Sequence, residues 1–147
     1  MRVLLLISFL YSTHALGQPA PEPVFRCNLG TKSADVVHAN GALVYRYGRG
    51  AASPDLEVRS NGKDGRAYYG ETPAQRELFK QLRFVNGEYS YILYEWRGGS
   101  GLAVTKGSTD ISDRKCVGKG NGFADNAFTG SLNSRISQDQ DDAITIR

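Results

Sequence analysis

Apolar and polar residues alternate along this chain in short runs, separated by Asn-Gly pairs or glycine-rich breaks. The most apolar run covers residues 79–97, and Asn86-Gly87 divides it in two. An Asn-Gly pair between alternating runs predicts a β-hairpin, because both residues of the turn must adopt positive φ. A two-residue turn would place Val85 opposite Glu88 and fix the pairs beyond them. The predicted core face comprises Leu82, Phe84, Tyr89, Tyr91 and Leu93. The opposite face is also largely apolar, which predicts that the outgoing strand is central in its sheet or covered.

A second hairpin is predicted over residues 32–48, with its turn at Asn40-Gly41. The same register places Asp35 opposite Arg46, so that opposite charges face each other on the solvent side. Such a pair stabilises a protein by only about a few tenths of a kcal/mol, and it supports the register more than the stability. The predicted core side comprises Val36, Leu43, Tyr45 and Tyr47.

A third hairpin is predicted over residues 55–69, with its turn at Asn61-Gly62. This register pairs Arg59 with Asp64 and Glu57 with Arg66, and two complementary charge pairs favour it. Residues 63–65 could instead lengthen the turn, so two registers remain open.

Shorter elements complete the predicted domain. Residues 24–29 form a first strand, and residues 73–79 form a short helical turn with Thr72 as its cap. Residues 102–106 and 108–116 form two more strands, the last polar enough for a sheet edge. The sequence therefore predicts an all-β fold, an antiparallel meander of hairpins that is closed as a small barrel or folded as a sandwich, with one disulfide.

The start of the chain is typical of a secretory signal peptide. Arg2 is followed by an apolar run over residues 3–11 and then by small residues, and cleavage after Ala15 or Gly17 fits equally well. This run is too short to span a membrane. The predicted regions are a signal peptide (1–17), a Pro-rich leader (18–23), a β domain (24–117) and a polar, loosely ordered tail (118–147). We expect an exported protein, periplasmic or secreted, without a membrane span.

The tail carries two weak signals. Leu132 and Ile136 have helical spacing, which is compatible with one weak helix, and a closing strand is the alternative. Asp139, Asp141 and Asp142 form an acidic cluster that lacks the regular spacing of a calcium-binding loop. We interpret this cluster as a solvated tail.

The charge of the chain excludes some partners. The formal net charge is +3, and cations and anions are interspersed. This near balance argues against a nucleic-acid or anionic-membrane partner. We expect a monomer or weak dimer that binds a protein.

The chain has two cysteines, Cys27 and Cys116. In an oxidising compartment a disulfide is the default interpretation. Such a bridge would tie the first strand to the end of the main sheet, and by loop-closure entropy it contributes roughly 3–5 kcal/mol.

Few residues suggest catalysis or metal binding. The histidines are His14, within the signal peptide, and His38, which lies beside a turn without a nucleophile motif near it. One histidine and two paired cysteines do not supply a zinc site. Paired carboxylates could serve a glycosidase, and the candidates are Glu71, Glu77, Glu88 and Glu95, none of which stands out. We therefore predict no enzyme activity, no metal and no cofactor.

The glycine-rich segment at residues 98–101 is predicted to be a flexible turn that could act as a recognition loop. Its candidate partner-binding residues are Arg97, Ser100 and Lys106. An aromatic platform for a sugar or a protein partner is a second interpretation of the strand aromatics, although such residues are more often part of the core. The platform candidates are Tyr45, Tyr47, Tyr94 and Trp96.

Several segments together resemble a group of small exported proteobacterial β proteins and, more distantly, the bacterial inhibitors of C-type lysozymes and their I-type relatives. The segments are Phe25-Arg26-Cys27, residues 43–48, residues 83–91, residues 101–107 and Cys116. The resemblance implies a small barrel-like β protein that inserts loop residues into a lysozyme cleft. It assigns Ser100 and Lys106 to contacts with the catalytic carboxylates, although the longer loop motif of the inhibitors and the lipid-attachment cysteine of their membrane-bound form are absent.

The first hypothesis for function is therefore an exported inhibitor of a lysozyme-type glycosidase. The alternative is an envelope interaction or immunity-type module with one specific protein partner and no effect on lysozymes. A third hypothesis, an enzyme or carbohydrate binder, would depend on Trp96.

Overall fold

The structure is a computed structural model, and it describes residues 17–50, 52–74 and 76–140. The predicted signal peptide lies outside the described residues except for Gly17, and Asp141 and Asp142 lie outside them too. In chain order the strands are β1 (Glu22–Asn28), β2 (Ser33–Ala39), β3 (Ala42–Gly48), β4 (Leu56–Ser60), β5 (Ala67–Ala74), β6 (Glu77–Asn86), β7 (Tyr89–Trp96), β8 (Gly99–Lys106), β9 (Thr109–Lys115), β10 (Gly122–Phe123) and β11 (Ser137–Gln138). A 3-10 turn at Thr129–Ser131 and a four-residue helix, α1 (Leu132–Arg135), precede β11.

The strands form two sheets that face each other as a sandwich. The first sheet has the order β10-β1-β2-β3-β4 and the second the order β11-β5-β6-β7-β8-β9. Neighbouring strands are antiparallel except for β11, which runs parallel to β5. Strand β1 packs against β8 and β4 against β6. The all-β prediction is confirmed, and the described strands make a sandwich and not a closed barrel.

Two predicted hairpins are present with the expected faces. Strands β2 and β3 pair as predicted, with Asp35 opposite Arg46. Strands β6 and β7 pair with Asn86 opposite Tyr89, so the turn consists of Gly87 and Glu88 and the predicted register is wrong by two residues. Gly87 has a φ of 61°, which suits a turn with glycine at its first central position. Because a two-residue slip leaves every side chain on the same face, the predicted faces of this hairpin survive.

The predicted third hairpin is wrong. Strand β4 pairs with β3 in the first sheet, whereas β5 pairs with β6 in the second. The Asn61-Gly62 segment is therefore part of the crossover between the sheets. Asp64 organises this crossover by accepting hydrogen bonds from Ser60 Oγ at 2.6 Å and from the backbone N–H groups of Asn61 and Arg66.

The predicted helical turn at residues 73–79 is also wrong, because these residues belong to the β5–β6 hairpin. The pleat explains how β5 accommodates Pro73. Ala74 and Glu77 flank the turn and form a hydrogen-bonded pair, so the backbone groups of Ala74 and of every second residue before it point toward β6. The backbone of Pro73 points the other way, toward the outer edge of β5. A proline there removes no ladder hydrogen bond.

The core lies between the sheets and is closed by the disulfide. Its fully buried side chains include Phe25, Val36, Leu43, Tyr45, Leu82, Phe84, Leu93 and Leu132. Cys27 in β1 and Cys116 just after β9 form the predicted disulfide, which links the two sheets. Within the described residues no helix is long and apolar enough to cross a membrane.

The described part of the tail, residues 118–140, packs onto the sandwich, in contrast to the expected loose order. Strand β10 pairs with β1, and the side chains of Phe128, Leu132 and Ile136 are buried in the core. Asp139 is not solvated as predicted, since its side chain is only 1% exposed and forms an ion pair with Arg83, with Nη2 to Oδ1 at 2.6 Å. Gln81 Nε2 donates a further hydrogen bond to Asp139 at 2.9 Å.

Candidate functional site: the outer aromatic patch

The structure separates the three predicted partner-binding residues. Arg97 lies at the exposed tip of the β7–β8 turn, and Lys106 ends β8 at the opposite end of the sheet. Nine residue steps separate the two cations, which corresponds to roughly 30 Å along an extended strand. One loop cannot present both of them to the same cleft.

Ser100 lies inside strand β8, so the predicted flexible loop at residues 98–101 is mostly strand. Its side chain is 7% exposed and shares the inner face with Leu102. Its carbonyl oxygen accepts the backbone N–H of Cys116 at 2.9 Å. The described geometry therefore gives Ser100 a place in the packing beside the disulfide.

Lys106 has neighbours of its own. Its Nζ lies 3.7 Å from Glu88 Oε2 and 5.6 Å from the centre of the Tyr89 ring. The side chain remains about half exposed. A surface ion pair of this kind contributes little to stability.

Arg97 has an unusual backbone conformation. Trp96 pairs with Gly99 across the turn, and Arg97 and Gly98 have φ values of 51° and 67°. Asn40 and Gly41 adopt the same conformation in the β2–β3 turn, with φ values of 51° and 74°. This turn favours Asn-Gly, and a long side chain in the left-handed region costs on the order of 1 kcal/mol. Arg97 therefore occupies a position that backbone energetics alone would give to asparagine.

The guanidinium of Arg97 stacks on Trp96, with Cζ 4.5 Å from the ring centre. Such cation–π contacts orient the charge while leaving its edges accessible. The indole Nε1 of Trp96 is buried and has no hydrogen-bond partner among the described residues. Buried indole N–H groups normally donate a hydrogen bond, so Trp96 Nε1 is an unsatisfied donor next to the Arg97 side chain.

Tyr94 supports this arrangement from the middle of the outer face. Its hydroxyl donates to Asp113 Oδ1 at 2.6 Å, and Lys115 Nζ lies 4.7 Å from its ring centre. Burial and the hydrogen bond to Asp113 raise the pKa of the Tyr94 hydroxyl, which stays protonated at neutral pH. A Cβ at Gly101 would collide with that hydroxyl, so a glycine is needed beneath it.

These side chains form what we call the outer aromatic patch, on the face of the second sheet that points away from the core. Its members are Phe79, Tyr94, Trp96, Arg97 and Lys115. Phe79 stacks on Tyr94 with ring centres 6.0 Å apart, and Ile92 and Ala103 fill the floor. Phe79 and Tyr94 are buried within the patch, so the members that a partner could contact are Trp96, which is partly exposed, and the cations. Tryptophan and arginine are among the residue types that dominate binding energy in protein interfaces.

The sequence identified part of this patch. Tyr94 and Trp96 were candidate platform residues, and they lie together. Tyr45, a third candidate, is buried in the core between the sheets. Lys115 was missed because its position over Tyr94 depends on the pairing of β8 with β9, in which it lies opposite Gly101. No local pattern encodes that register, which includes a bulge.

Besides Glu88, which lies beside Lys106, two of the candidate catalytic carboxylates accept hydrogen bonds within the fold. Glu71 Oε1 accepts the hydroxyl hydrogen bond of Tyr69 at 2.7 Å, and Glu95 Oε2 accepts the backbone N–H of Phe123 at 2.9 Å. The contact of Glu95 ties β10 to the second sheet. In the part of the chain that the structure describes, no three His, Cys, Asp or Glu side chains come close enough to hold a metal ion.

His38 lines a pocket of 170 Å³ between the β2–β3 turn and the tail. Its ring stacks on Phe128, with centres 3.9 Å apart, and Arg135 lies over the same phenyl ring at 5.2 Å. These contacts give His38 a packing role in holding the tail.

The chain matches no protein-family model, no curated protein and no solved structure.

Proposed function

We propose that this protein is an exported binding protein that inhibits a lysozyme-type glycosidase by inserting Arg97 into the acidic cleft of that enzyme. The supporting observation is Arg97 itself, a cation at the tip of a two-residue turn whose guanidinium stacks on Trp96. Its left-handed backbone conformation is unfavourable for arginine, and Arg76 shares it with a φ of 74°. Strained residues persist where the surrounding structure holds them and where they serve a function. The disulfide fits maturation in an oxidising compartment.

The chemistry of the target explains the choice of arginine. Glycosidases of this kind use two carboxyl groups that flank the scissile bond. A guanidinium presents a planar fork of donors that binds a carboxylate in a bidentate manner, and such bonds are strong when water is excluded. Trp96 beneath Arg97 would exclude that water, and its indole N–H, which is buried in the free protein, would gain an acceptor only if the Arg97 side chain shifts on binding.

The proposal changes the residues expected from the resemblance. Arg97 and Trp96 take the role that the resemblance assigns to Ser100 and Lys106, because Ser100 is buried and Lys106 lies at the far end of β8. The strands β7 and β8 hold the turn at the centre of a sheet, so little conformational entropy would be lost on binding.

The test is an inhibition assay with the chain from Gln18 to Arg147 against C-type, G-type and I-type lysozymes. We expect inhibition of at least one class at micromolar concentration. Arg97→Asn should weaken it by about tenfold or more, because a central interface arginine is a hot spot. Asparagine also suits the turn, so this variant should be at least as stable as the wild type.

Lys106→Ala is the matched control, since it removes one positive charge at the other end of the same strand and should leave inhibition unchanged. No inhibition of any lysozyme, or equal inhibition by the wild type and Arg97→Asn, would refute the proposal. A different envelope protein captured by the wild type but not by Arg97→Asn would favour the alternative, an interaction or immunity-type module that uses the same patch.

A further inference from the structure

Strand β4 has an open edge beside a groove. It pairs with β3 on one side, and no described strand pairs with it on the other. The groove next to it has a volume of 300 Å³ and separates β4 from the start of β5 and the β6–β7 turn. Its lining residues are Glu57, Val58, Arg59, Gly65, Arg66, Val85, Asn86 and Gly87.

The pleat determines which backbone groups of β4 face this groove. Ala39 and Ala42 flank the two-residue β2–β3 turn and form a hydrogen-bonded pair, so even-numbered residues of β3 face β2. Odd-numbered residues of β3 must then face β4, where Tyr45 pairs with Val58. The backbone N–H and C=O groups of Glu57 and Arg59 consequently point outward.

These outward groups have no backbone hydrogen bond to another described residue. An unpaired row of donors and acceptors is the template that an extended peptide uses when it adds a strand to a sheet. Glu57 and Arg59 are two residues apart, which is the spacing at which an antiparallel neighbour forms its hydrogen bonds. Together they offer two N–H donors and two C=O acceptors. The groove provides the space that such a strand needs.

Charge determines the kind of peptide that fits. Glu57 accepts hydrogen bonds from Arg46 Nε at 2.9 Å and Arg59 Nε at 2.8 Å, which lower the pKa of its carboxyl and leave its charge compensated. The side chain of Arg59 is still 56% exposed, and Arg66 on the opposite wall is exposed. Lys63 adds a cation to the same crossover, and the carboxylate of Asp64 is engaged by hydrogen bonds within it.

Two other edges of the described sandwich are protected against this kind of pairing. Strand β11 covers part of β5, and the outward position further along β5 is Pro73, which has no N–H. Strand β9 is exposed along all of its seven residues and carries Asp110, Asp113, Arg114 and Lys115, a charged edge of the type that opposes association. Strand β4 has no proline, and the charge of its one carboxylate, Glu57, is compensated by Arg46 and Arg59, so its edge favours an acidic partner.

We propose that β4 is a docking edge for an extended acidic segment of a partner protein, which adds as an antiparallel strand beside Glu57 and Arg59. Acidic side chains of the segment meet Arg59 and Arg66, and the side chains between them pack toward Val58 and Val85. This surface lies on the first sheet and the inter-sheet groove, apart from the outer aromatic patch, so it adds a second interaction site.

The test uses a capped hexapeptide of alternating glutamate and valine, added to the isotopically labelled chain and followed by NMR. We expect saturable shift changes centred on the amides of Glu57 and Arg59 and slowed hydrogen exchange at both. A peptide with lysine in place of glutamate should bind at least about tenfold more weakly, because its charges repel the groove. Two further analogues are N-methylated, one at the odd-numbered and one at the even-numbered residues. Only the analogue whose methyl groups block the N–H groups that face β4 should lose binding.

Arg66→Glu is the informative variant, since no described contact depends on its side chain and folding should be unaffected. It should weaken the glutamate peptide by about fivefold or more. Arg76→Glu makes the same charge change in the β5–β6 turn at the far end of the sheet and should leave binding unchanged. Absence of binding at millimolar peptide, equal binding of the lysine peptide, or shift changes away from β4 would overturn the proposal.

Discussion

Two aromatic side chains bury a polar atom without a described partner, and their positions give these atoms different meanings. Tyr45 Oη lies in the core between the sheets, where its ring stacks on Phe84 with centres 5.3 Å apart. Trp96 Nε1 lies under Arg97 at the edge of the outer aromatic patch. Trp96 is partly exposed although its Nε1 is buried, so a partner could reach the indole N–H only after the Arg97 side chain shifts, whereas the core encloses the phenol. The Tyr45 hydroxyl is therefore a cost to stability, whereas the Trp96 N–H could still gain an acceptor on binding.

Removing the Tyr45 hydroxyl should stabilise the protein. A buried hydroxyl without a partner forfeits its hydrogen bonds to water, and burial raises its pKa so that it stays neutral. We expect Tyr45→Phe to raise the free energy of unfolding by about 1 kcal/mol, measured by urea denaturation. Tyr69→Phe is the control, because its hydroxyl donates to Glu71, and it should lower that free energy. A destabilised Tyr45→Phe variant would mean that the hydroxyl has a partner.

Among the elements, hairpins and crossover show what local sequence does and does not encode. Asn40-Gly41 predicted its turn and every pair of β2 and β3 correctly. Asn61-Gly62 carries the same signal but lies in the crossover, where Gly62 has a φ of 85° and its carbonyl oxygen accepts the N–H of Ser137. Only the glycine of this pair adopts positive φ, so the dipeptide marks a turn and does not determine which strand follows. Its partner in β11 lies more than seventy residues later, beyond the range of any local pattern.

The crossover should make stability depend on pH through Asp64. Partial burial acts to raise the pKa of its carboxyl, but hydrogen bonds from Ser60 and from the N–H groups of Arg66 and Asn61 together lower it. A lowered folded-state pKa stabilises the fold above the unfolded value, about 4, and this contribution is lost as pH falls through the folded-state pKa.

We expect Asp64→Asn to be less stable than the wild type at pH 7, with a difference that shrinks as the pH falls below about 4. Chemical denaturation of both proteins over a pH series measures this difference. A gap that stays constant across the series would show that the charge of Asp64 does not support the crossover.

At the scale of the whole molecule, long-range links hold the two sheets and the tail together. The disulfide closes a loop of 89 residues, which by chain entropy corresponds to about 4–5 kcal/mol. The Arg83–Asp139 pair then fixes the tail beside β5 and β6, with a second bond between Arg83 Nε and Asp139 Oδ2 at 2.9 Å. The disulfide was predictable because only two cysteines exist. The ion pair was not, because an aspartate in a polar tail gives no sign of burial.

Breaking this ion pair should destabilise the protein strongly. Asp139→Ala leaves Arg83 largely buried without its carboxylate, and we expect the free energy of unfolding to fall by about 3 kcal/mol. Asp125→Ala, at an exposed carboxylate in the same tail, should change it by less than about 0.5 kcal/mol. Denaturant unfolding of both variants measures these changes, and equal stabilities would show that Asp139 does not anchor the tail.

The order of the strands also determines when a newly made chain can finish folding. Each sheet is mostly a meander of consecutive strands, so β1–β4 and β5–β9 can each begin to pair as soon as their own residues enter the compartment in which the protein folds. Residues 116–139 supply three contacts to the earlier part of the chain. Cys116 forms the disulfide with Cys27, β10 pairs with β1, and Asp139 forms the ion pair with Arg83. Until those residues emerge, Cys27 remains a free thiol on an incomplete sheet. The first half therefore cannot reach its final structure before residues 116–139 are available, and any chaperone that protects it has to hold it until then.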